Sequence, residues 1–186
     1  MKRLFIAVKI KPDQAFLADY HRLRIYLGDS NIAWVDAGLM HLTLKFLGKT
    51  DEGSISKINS VLAEVAAEYE TFDTCFDKLG IFGSSYQPKV IWLGANNPTR
   101  FAVLGEMVID RLDKNGFSRD RQNFVPHITL GRIKKIDDKK FFNEMISRFH
   151  GIFRLQVFIV QMLLYHSELT SSGPRYHEIS AFNMRL

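Results

Sequence analysis

The sequence is poor in cysteine, with Cys75 the only one among its 186 residues. One cysteine can form no internal disulfide and supplies no zinc cluster, which excludes a disulfide-rich secreted scaffold. The chain is long enough to bury a sizeable core without such cross-links. A reducing cytoplasm is the simplest location for it, and we expect Cys75 to be structural.

Long hydrophobic runs are also missing. No stretch approaches the ~18 consecutive apolar residues of a membrane span, and the apolar run at residues 4–8 has the length of a strand. We therefore expect no membrane partner. A Gly-rich phosphate loop of the Gly-x-x-x-x-Gly-Lys type is absent too, so the sequence does not suggest use of a nucleoside triphosphate.

Proline and glycine are scattered, and no low-complexity tract marks a flexible linker. We expect residues 1–186 to form a single domain of two intertwined lobes and the protein to be a monomer.

The apolar periodicity alternates between strand and helix in both halves of the chain. This rhythm predicts an α+β fold of two pseudo-equivalent lobes. The helices are predicted at residues 13–27, 54–69, 100–114 and 139–149, and the strands at 4–8, 32–35, 41–47, 72–82, 89–94, 127–133, 153–164 and 176–183.

Two of these strands begin with the same pattern, His-x-Thr-Leu with an apolar x: His41 and Thr43 in the first, His127 and Thr129 in the second. Alternation along a strand points each His and its Thr to one face, with the neighbouring apolar residues toward the core. Chance predicts roughly 0.2 occurrences of His-x-Thr in a chain of this composition, so two copies are a specific signal. A lone copy would be read as a hydrogen-bonded strand histidine.

Two imidazoles that face one cleft supply an acid and a base near neutral pH, which is what cleavage of a phosphodiester requires. The hydroxyls of Thr43 and Thr129 can donate to phosphate oxygens as negative charge builds on them. This chemistry needs no metal and no cofactor.

The chain resembles the two-histidine phosphoesterase superfamily, in particular its RNA 2′,3′-cyclic phosphodiesterase branch, also called 2′-5′ RNA ligase-like proteins. The resemblance rests on the paired motifs, and on the segments at residues 3–7, 34–35, 88–92 and 124–126. Gly131 stands where such proteins often carry Ala. The resemblance implies a bilobal fold with two antiparallel sheets flanking a central cleft, helices on the outside, and hydrolysis of a 2′,3′-cyclic phosphate to a 2′-phosphate. It also implies that His41 is the proton donor and His127 the proton acceptor, although the spacing alone leaves the two roles interchangeable.

Three residues after the motifs are candidate substrate contacts. Lys45 shares strand parity with His41, so its amine is expected to reach the phosphate. Parity places Arg132 opposite His127 unless the strand ends or bulges there. Phe46 shares parity with the core residues and is expected to be buried, with stacking on a nucleobase as the alternative.

The net charge of +5 is compatible with a polyanionic partner and equally with an ordinary solvated surface. A possible track for an RNA backbone consists of Arg111, Lys114, Arg119 and Arg121 before the second motif, and Arg132, Lys134 and Lys135 after it. His166 is a weaker candidate for a polar contact at the rim of the cleft.

Three other functions stay open. The same site could join RNA ends through a 2′-5′ linkage, with a 5′ hydroxyl in place of water. It could also act on small cyclic phosphates, or the chain could be a non-catalytic module that binds RNA ends.

Overall fold

The computed structural model describes residues 1–28, 31–84, 86–119, 124–171 and 173–186. Within these ranges it contains four α-helices and nine strands, which confirms the predicted α+β class. Two single-turn helices, Ala37–Leu39 and Glu52–Ser54, flank the third strand. In chain order the elements are β1 Lys2–Lys9, α1 Gln14–Leu27, β2 Ile32–Trp34, β3 His41–Thr50, α2 Ile55–Glu68, β4 Phe72–Gly83, β5 Pro88–Ala95, α3 Thr99–Lys114, β6 His127–Ile133, α4 Lys139–Arg148, β7 Leu155–Ile159, β8 Gln161–Thr170 and β9 Gly173–Asn183.

The first helix shows how local sequence sets an element's ends. The Asp13 carboxylate accepts a hydrogen bond from the Phe16 backbone N–H at 2.8 Å, which satisfies one of the free donors of the first turn. Gly28, with φ of 76°, ends the helix and donates its N–H to the Arg24 carbonyl. Asp138 caps α4 in the same way.

The end of the chain departs from the sequence prediction. The strand expected at residues 153–164 is two strands, β7 and β8, which belong to different parts of the sheet. The strand expected at residues 176–183 begins earlier, because β9 starts at Gly173; Ser172 lies outside the described residues. Pro174 is tolerated because β9 is an edge strand.

The strands form one antiparallel sheet in the order β7-β4-β5-β6-β3-β1-β8-β9, with β2 also paired to β6. The eight strands of this order form two four-stranded halves that meet where β6 lies beside β3, and β2 adds a ninth strand at β6. A single residue pair, Leu42 with Ile128, joins the two halves. The two sheets that the resemblance implied are the two halves of this one continuous sheet, linked at this seam.

The helices pack on one face of the sheet, and the main core lies between the helices and the sheet. The core includes Phe16, Ile58, Leu104 and Phe142 from the four helices. It continues through both halves of the sheet, with Leu4, Leu42, Leu93 and Ile128 among its members. The histidines and threonines of the paired motifs lie on the opposite face. No helix in the described part of the chain is long and apolar enough to cross a membrane.

Candidate active site

The seam between the halves brings the two motifs together. Leu42 and Ile128 are opposite each other in an antiparallel pair and are fully buried against the helices. The residues on either side of them must then point to the other face. The register sets His41 across from Thr129 and Thr43 across from His127, so the four side chains form one polar group on the helix-free face.

Each histidine is oriented by the backbone two residues before it. Nδ1 of His41 lies 2.7 Å from the carbonyl oxygen of Leu39, and Nδ1 of His127 lies 2.7 Å from that of Val125. A carbonyl oxygen only accepts, so each Nδ1 carries a proton and donates it. Nε2 is then the ring nitrogen left to exchange a proton with a substrate.

Burial and charge lower the pKa of both histidines. Desolvation is the largest cause for each, and the Nδ1 hydrogen bond to the backbone opposes it. The positive charge of Arg132 lowers both values further, and His127 lowers that of His41. Both imidazoles are therefore favoured in the neutral form at neutral pH, and the form in which one of them is protonated gains population as the pH falls.

Aromatic rings hold each imidazole in place. His41 is 5.2 Å from the ring centroids of both Phe5 and Tyr176, with the Tyr176 ring edge-on. His127 stands edge-on to Phe82 at 4.8 Å and lies 6.3 Å from Trp92. The two halves thus repeat one design, in which an imidazole packs against an aromatic pair.

Two glycines make room for the Trp92 indole. A Cβ on Gly80 would lie 2.2 Å from Cζ2 of Trp92, and one on Gly94 would lie 2.8 Å from Cζ3. The indole therefore rests on strand positions without side chains and stacks on Phe82 at 5.0 Å. Its Nε1 is buried and has no hydrogen-bond partner among the described residues.

Both motif strands contain a bulge directly after the Thr. Leu44 is the extra residue in β3, because Ala7 pairs with Thr43 while Ile6 pairs with Lys45. Leu130 is the extra residue in β6, because Trp92 pairs with Thr129 while Ile91 pairs with Gly131. A one-residue bulge reverses the facing of every side chain beyond it.

The prediction that Lys45 faces the cleft is wrong for this reason. The bulge at Leu44 turns Lys45 to the core side, where it is only 2% exposed. Its amine donates to the carbonyl oxygen of Ser118 at 2.8 Å. Lys45 therefore anchors the segment after α3, and its burial leaves no surface for a substrate.

Phe46 is turned the other way by the same bulge. It is 62% exposed, so the expectation that it belongs to the core is wrong. Its ring lies 6.1 Å from that of Phe5, which in turn contacts His41. An exposed ring beside the site has the geometry that the alternative, stacking on a nucleobase, requires.

Arg132 reaches the face of the histidines because of the second bulge. A regular strand would align it with Ile128 and Leu130, but the extra residue rotates it to the side of His127. It is exposed, and its charge acts on both histidines and on Tyr176. Among the described residues no carboxylate pairs with its guanidinium, so this cation is available to an anion.

Gly131, which precedes Arg132 in β6, lies in close contact with β2. A Cβ there would lie 2.8 Å from Cγ2 of Ile32 and 3.0 Å from Cε3 of Trp34. The glycine thus lets β2 pack closely against β6.

A small cavity of about 60 Å³ opens beside His41. Lys9, Tyr165 and Tyr176 contribute side chains to its wall, together with the segment that precedes β3. The sequence analysis assigned no role at the site to these residues or to the aromatic pairs. Alternation in β5 places Trp92 and Gly94 on one face, but only the register with β6 shows that this face carries His127.

Other sequence candidates lie elsewhere. His166 pairs with Leu4, a core-side residue of β1, and stacks on His177 at 5.8 Å, away from the cleft face. Arg111 is ion-paired with Glu64 and Glu68. Arg119 is likewise paired, with Glu106 and Asp110, so these two do not form the free cationic track expected before the second motif. Arg121 lies outside the described residues.

Cys75 is buried, 7% exposed, as the sequence suggested. In the described ranges no group of three His, Cys, Asp or Glu side chains is placed to hold a metal ion.

Paired His-x-Thr-Leu strands that face each other across a two-halved antiparallel sheet define a two-histidine phosphoesterase. Within that class, the chain belongs to the 2′-5′ RNA ligase superfamily, whose family model matches residues 12–166. This confirms the resemblance seen in the sequence.

Relatives and solved structures agree over most of the chain. It is 29% identical over 184 residues to the RNA 2′,3′-cyclic phosphodiesterase of Methanothermobacter thermautotrophicus, covering 98% of both chains. It is 33% identical over 174 residues to the protein of the same name from Thermotoga maritima, covering 94% of this chain and 91% of the relative. The crystal structure of E. coli LigT complexed with 3′-AMP matches with a TM-score of 0.78 at 21% identity, covering 100% of this chain and 99% of that one.

Proposed function

We propose that this protein hydrolyses the 2′,3′-cyclic phosphate at the end of an RNA to a 2′-phosphate by metal-free acid–base catalysis. The observation that carries the proposal is the pair of imidazoles at the seam, each with Nδ1 held by a backbone carbonyl and Nε2 left for the substrate. Relatives named RNA 2′,3′-cyclic phosphodiesterase support the choice of substrate.

The reaction requires one protonated and one neutral imidazole. Nε2 of His127 removes a proton from water as the water oxygen bonds to phosphorus. The bond from phosphorus to the 3′ oxygen breaks, and His41 gives its Nε2 proton to that oxygen. The products are a 2′-phosphate and a 3′ hydroxyl, and proton exchange with solvent restores both imidazoles. The direction of transfer follows the family resemblance.

Three further side chains act on the phosphate. The hydroxyls of Thr43 and Thr129 donate to its non-bridging oxygens, on which negative charge grows during attack. Arg132 neutralises part of this charge, since its guanidinium has no carboxylate partner among the described residues. Phe46 offers an exposed ring for the terminal base.

Ligation through a 2′-5′ linkage is the second candidate, and the family model that matches this chain is described by that activity. It needs only a 5′ hydroxyl in place of water. Because water is present at about 55 M, hydrolysis dominates unless the site positions the second RNA end with a comparable effective concentration.

The decisive experiment is turnover of an oligonucleotide that ends in a 2′,3′-cyclic phosphate, with and without a second oligonucleotide bearing a 5′ hydroxyl. The variants are His41→Ala and His127→Ala, with His21→Ala on the exposed surface of α1 as the matched control. We expect a 2′-phosphate product, a loss of at least about 100-fold in kcat/KM for either site variant, and an unchanged control.

Each other result has a definite meaning. A joined product would favour ligation, and turnover confined to small cyclic nucleotides would replace the RNA substrate. Binding of the oligonucleotide without any turnover by folded protein would favour a non-catalytic RNA-end module. We further propose that the protein acts as a cytoplasmic monomer whose partners are RNA ends.

A further inference from the structure

A buried tyrosine of α1 reaches the second motif strand through its hydroxyl. Tyr20 is 4% exposed, and its hydroxyl oxygen lies 2.8 Å from the carbonyl oxygens of both Val35 and Leu130. The Val35 N–H also donates to the Leu130 carbonyl, at 2.9 Å. Leu130 is the bulge residue of β6.

The extra residue of a bulge has no pairing partner on the strand opposite the bulge, so its carbonyl needs a hydrogen-bond donor from another segment. The β5 register passes from Thr129 to Gly131 and omits Leu130. The Leu130 carbonyl therefore accepts from the Val35 N–H and from the Tyr20 hydroxyl, whose single proton is shared between the carbonyls of Leu130 and Val35. Phenylalanine would fill the core equally well, so the buried hydroxyl is explained by its bonds to these two carbonyls.

The bulge decides where Arg132 points. Without the extra residue, strand alternation would turn Arg132 to the core face, the side of Ile128. Packing on the core side also supports the bulge. Gly131 has no side chain, so Ile32 and Trp34 pack closely against it, and the Tyr20 ring stands edge-on to Trp34 at 5.7 Å.

We propose that Tyr20 is a positioning residue for Arg132: its hydroxyl fixes the Leu130 bulge and thereby holds the guanidinium on the histidine face. The proposal rests on the role given to Arg132 in the proposed function. It extends the site to a helix that lies on the opposite side of the sheet.

The test compares Tyr20→Phe with Tyr26→Phe, the same substitution on the same helix at a side chain that is 55% exposed. Calorimetric titration with inorganic phosphate gives an affinity that does not depend on turnover. The same two variants are made in an Arg132→Gln background, and KM and kcat are measured on the cyclic-phosphate oligonucleotide.

We expect Tyr20→Phe to weaken phosphate binding and raise KM by about two- to tenfold, the effect of one hydrogen bond, with a smaller change in kcat. Tyr26→Phe should match the wild type. In the Arg132→Gln background, Tyr20→Phe should change neither phosphate affinity nor KM, because the cation that it positions is gone.

Two outcomes would overturn the positioning role. One is a Tyr20→Phe protein with a lower melting temperature but wild-type phosphate affinity and KM. The other is an equal loss of affinity with and without Arg132. If the wild type binds phosphate but does not turn over the oligonucleotide, the proposed function fails, and the phosphate titrations still decide the role of Tyr20.

Discussion

The close contact of Gly80 and Gly94 with the Trp92 indole can be used to test how packing positions His127. Replacing Gly80 with Ala would place a methyl group 2.2 Å from Cζ2 and 2.5 Å from Cε2 of the indole. Ordinary carbon contacts are about 3.5–4.0 Å, so the ring must retreat by more than about 1 Å. Trp92 stacks on Phe82, and Phe82 contacts His127, so the displacement reaches the imidazole that we propose as the proton acceptor.

We expect Gly80→Ala to lower the free energy of unfolding by about 1–3 kcal/mol, as overpacking does. For a chain of this size, each kcal/mol lowers the melting temperature by about 2–4 °C. A misplacement of about 1 Å can reduce catalysis by about 100-fold, so kcat on the cyclic-phosphate oligonucleotide should fall by about 10- to 100-fold. Urea unfolding followed by circular dichroism and steady-state kinetics measure the two effects.

A second substitution tests whether the Trp92 indole is the group that the new methyl group displaces. Trp92→Phe removes the indole atoms that the new methyl group meets, so the double variant should be more stable than the sum of the two single changes allows. Unchanged stability and kcat in Gly80→Ala, or strict additivity in the double variant, would contradict the packing described for Trp92.

Three further predictions concern other residues of the two motif strands. Arg132→Gln should raise the pKa of both imidazoles, because the guanidinium charge lowers them, and so shift the bell-shaped pH profile of kcat/KM to higher pH; an unshifted profile would argue against the electrostatic contact. Thr43→Val and Thr129→Val should each lower kcat by about 10- to 100-fold with little change in melting temperature, and full activity of either would remove that hydroxyl from the mechanism. Lys45→Met should lower the free energy of unfolding by about 1–3 kcal/mol because the buried amine no longer donates to the carbonyl oxygen of Ser118, and a change confined to KM would restore Lys45 as a substrate contact.

The sequence indicated the helices and strands well because they depend on local periodicity. The apolar stripe of α2, with Ile58, Val61 and Leu62, lies on its buried face, and Gly28 follows the last residue of α1. The split of residues 153–164 into two strands was not visible, since a continuous apolar run does not show where the chain changes partners.

The paired motifs were also evident in the sequence because alternation fixes the facing of a His and a Thr two residues apart. Beyond the Thr the same rule failed at Lys45, Phe46 and Arg132, where the bulges at Leu44 and Leu130 invert it. Bulges are set by hydrogen bonds and packing between distant segments, so strand parity alone cannot locate them.

The sequence by itself determined the α+β class, the two motifs and the acid–base chemistry that they allow. Only the tertiary structure decided which cation faces the histidines and which aromatic rings hold them. The contact between the Tyr20 hydroxyl and the Leu130 carbonyl spans 110 positions. A bond of that separation forms only when the helix packs against the sheet, and it is bonds of this kind that turn Arg132 toward the site and leave Lys45 in the core.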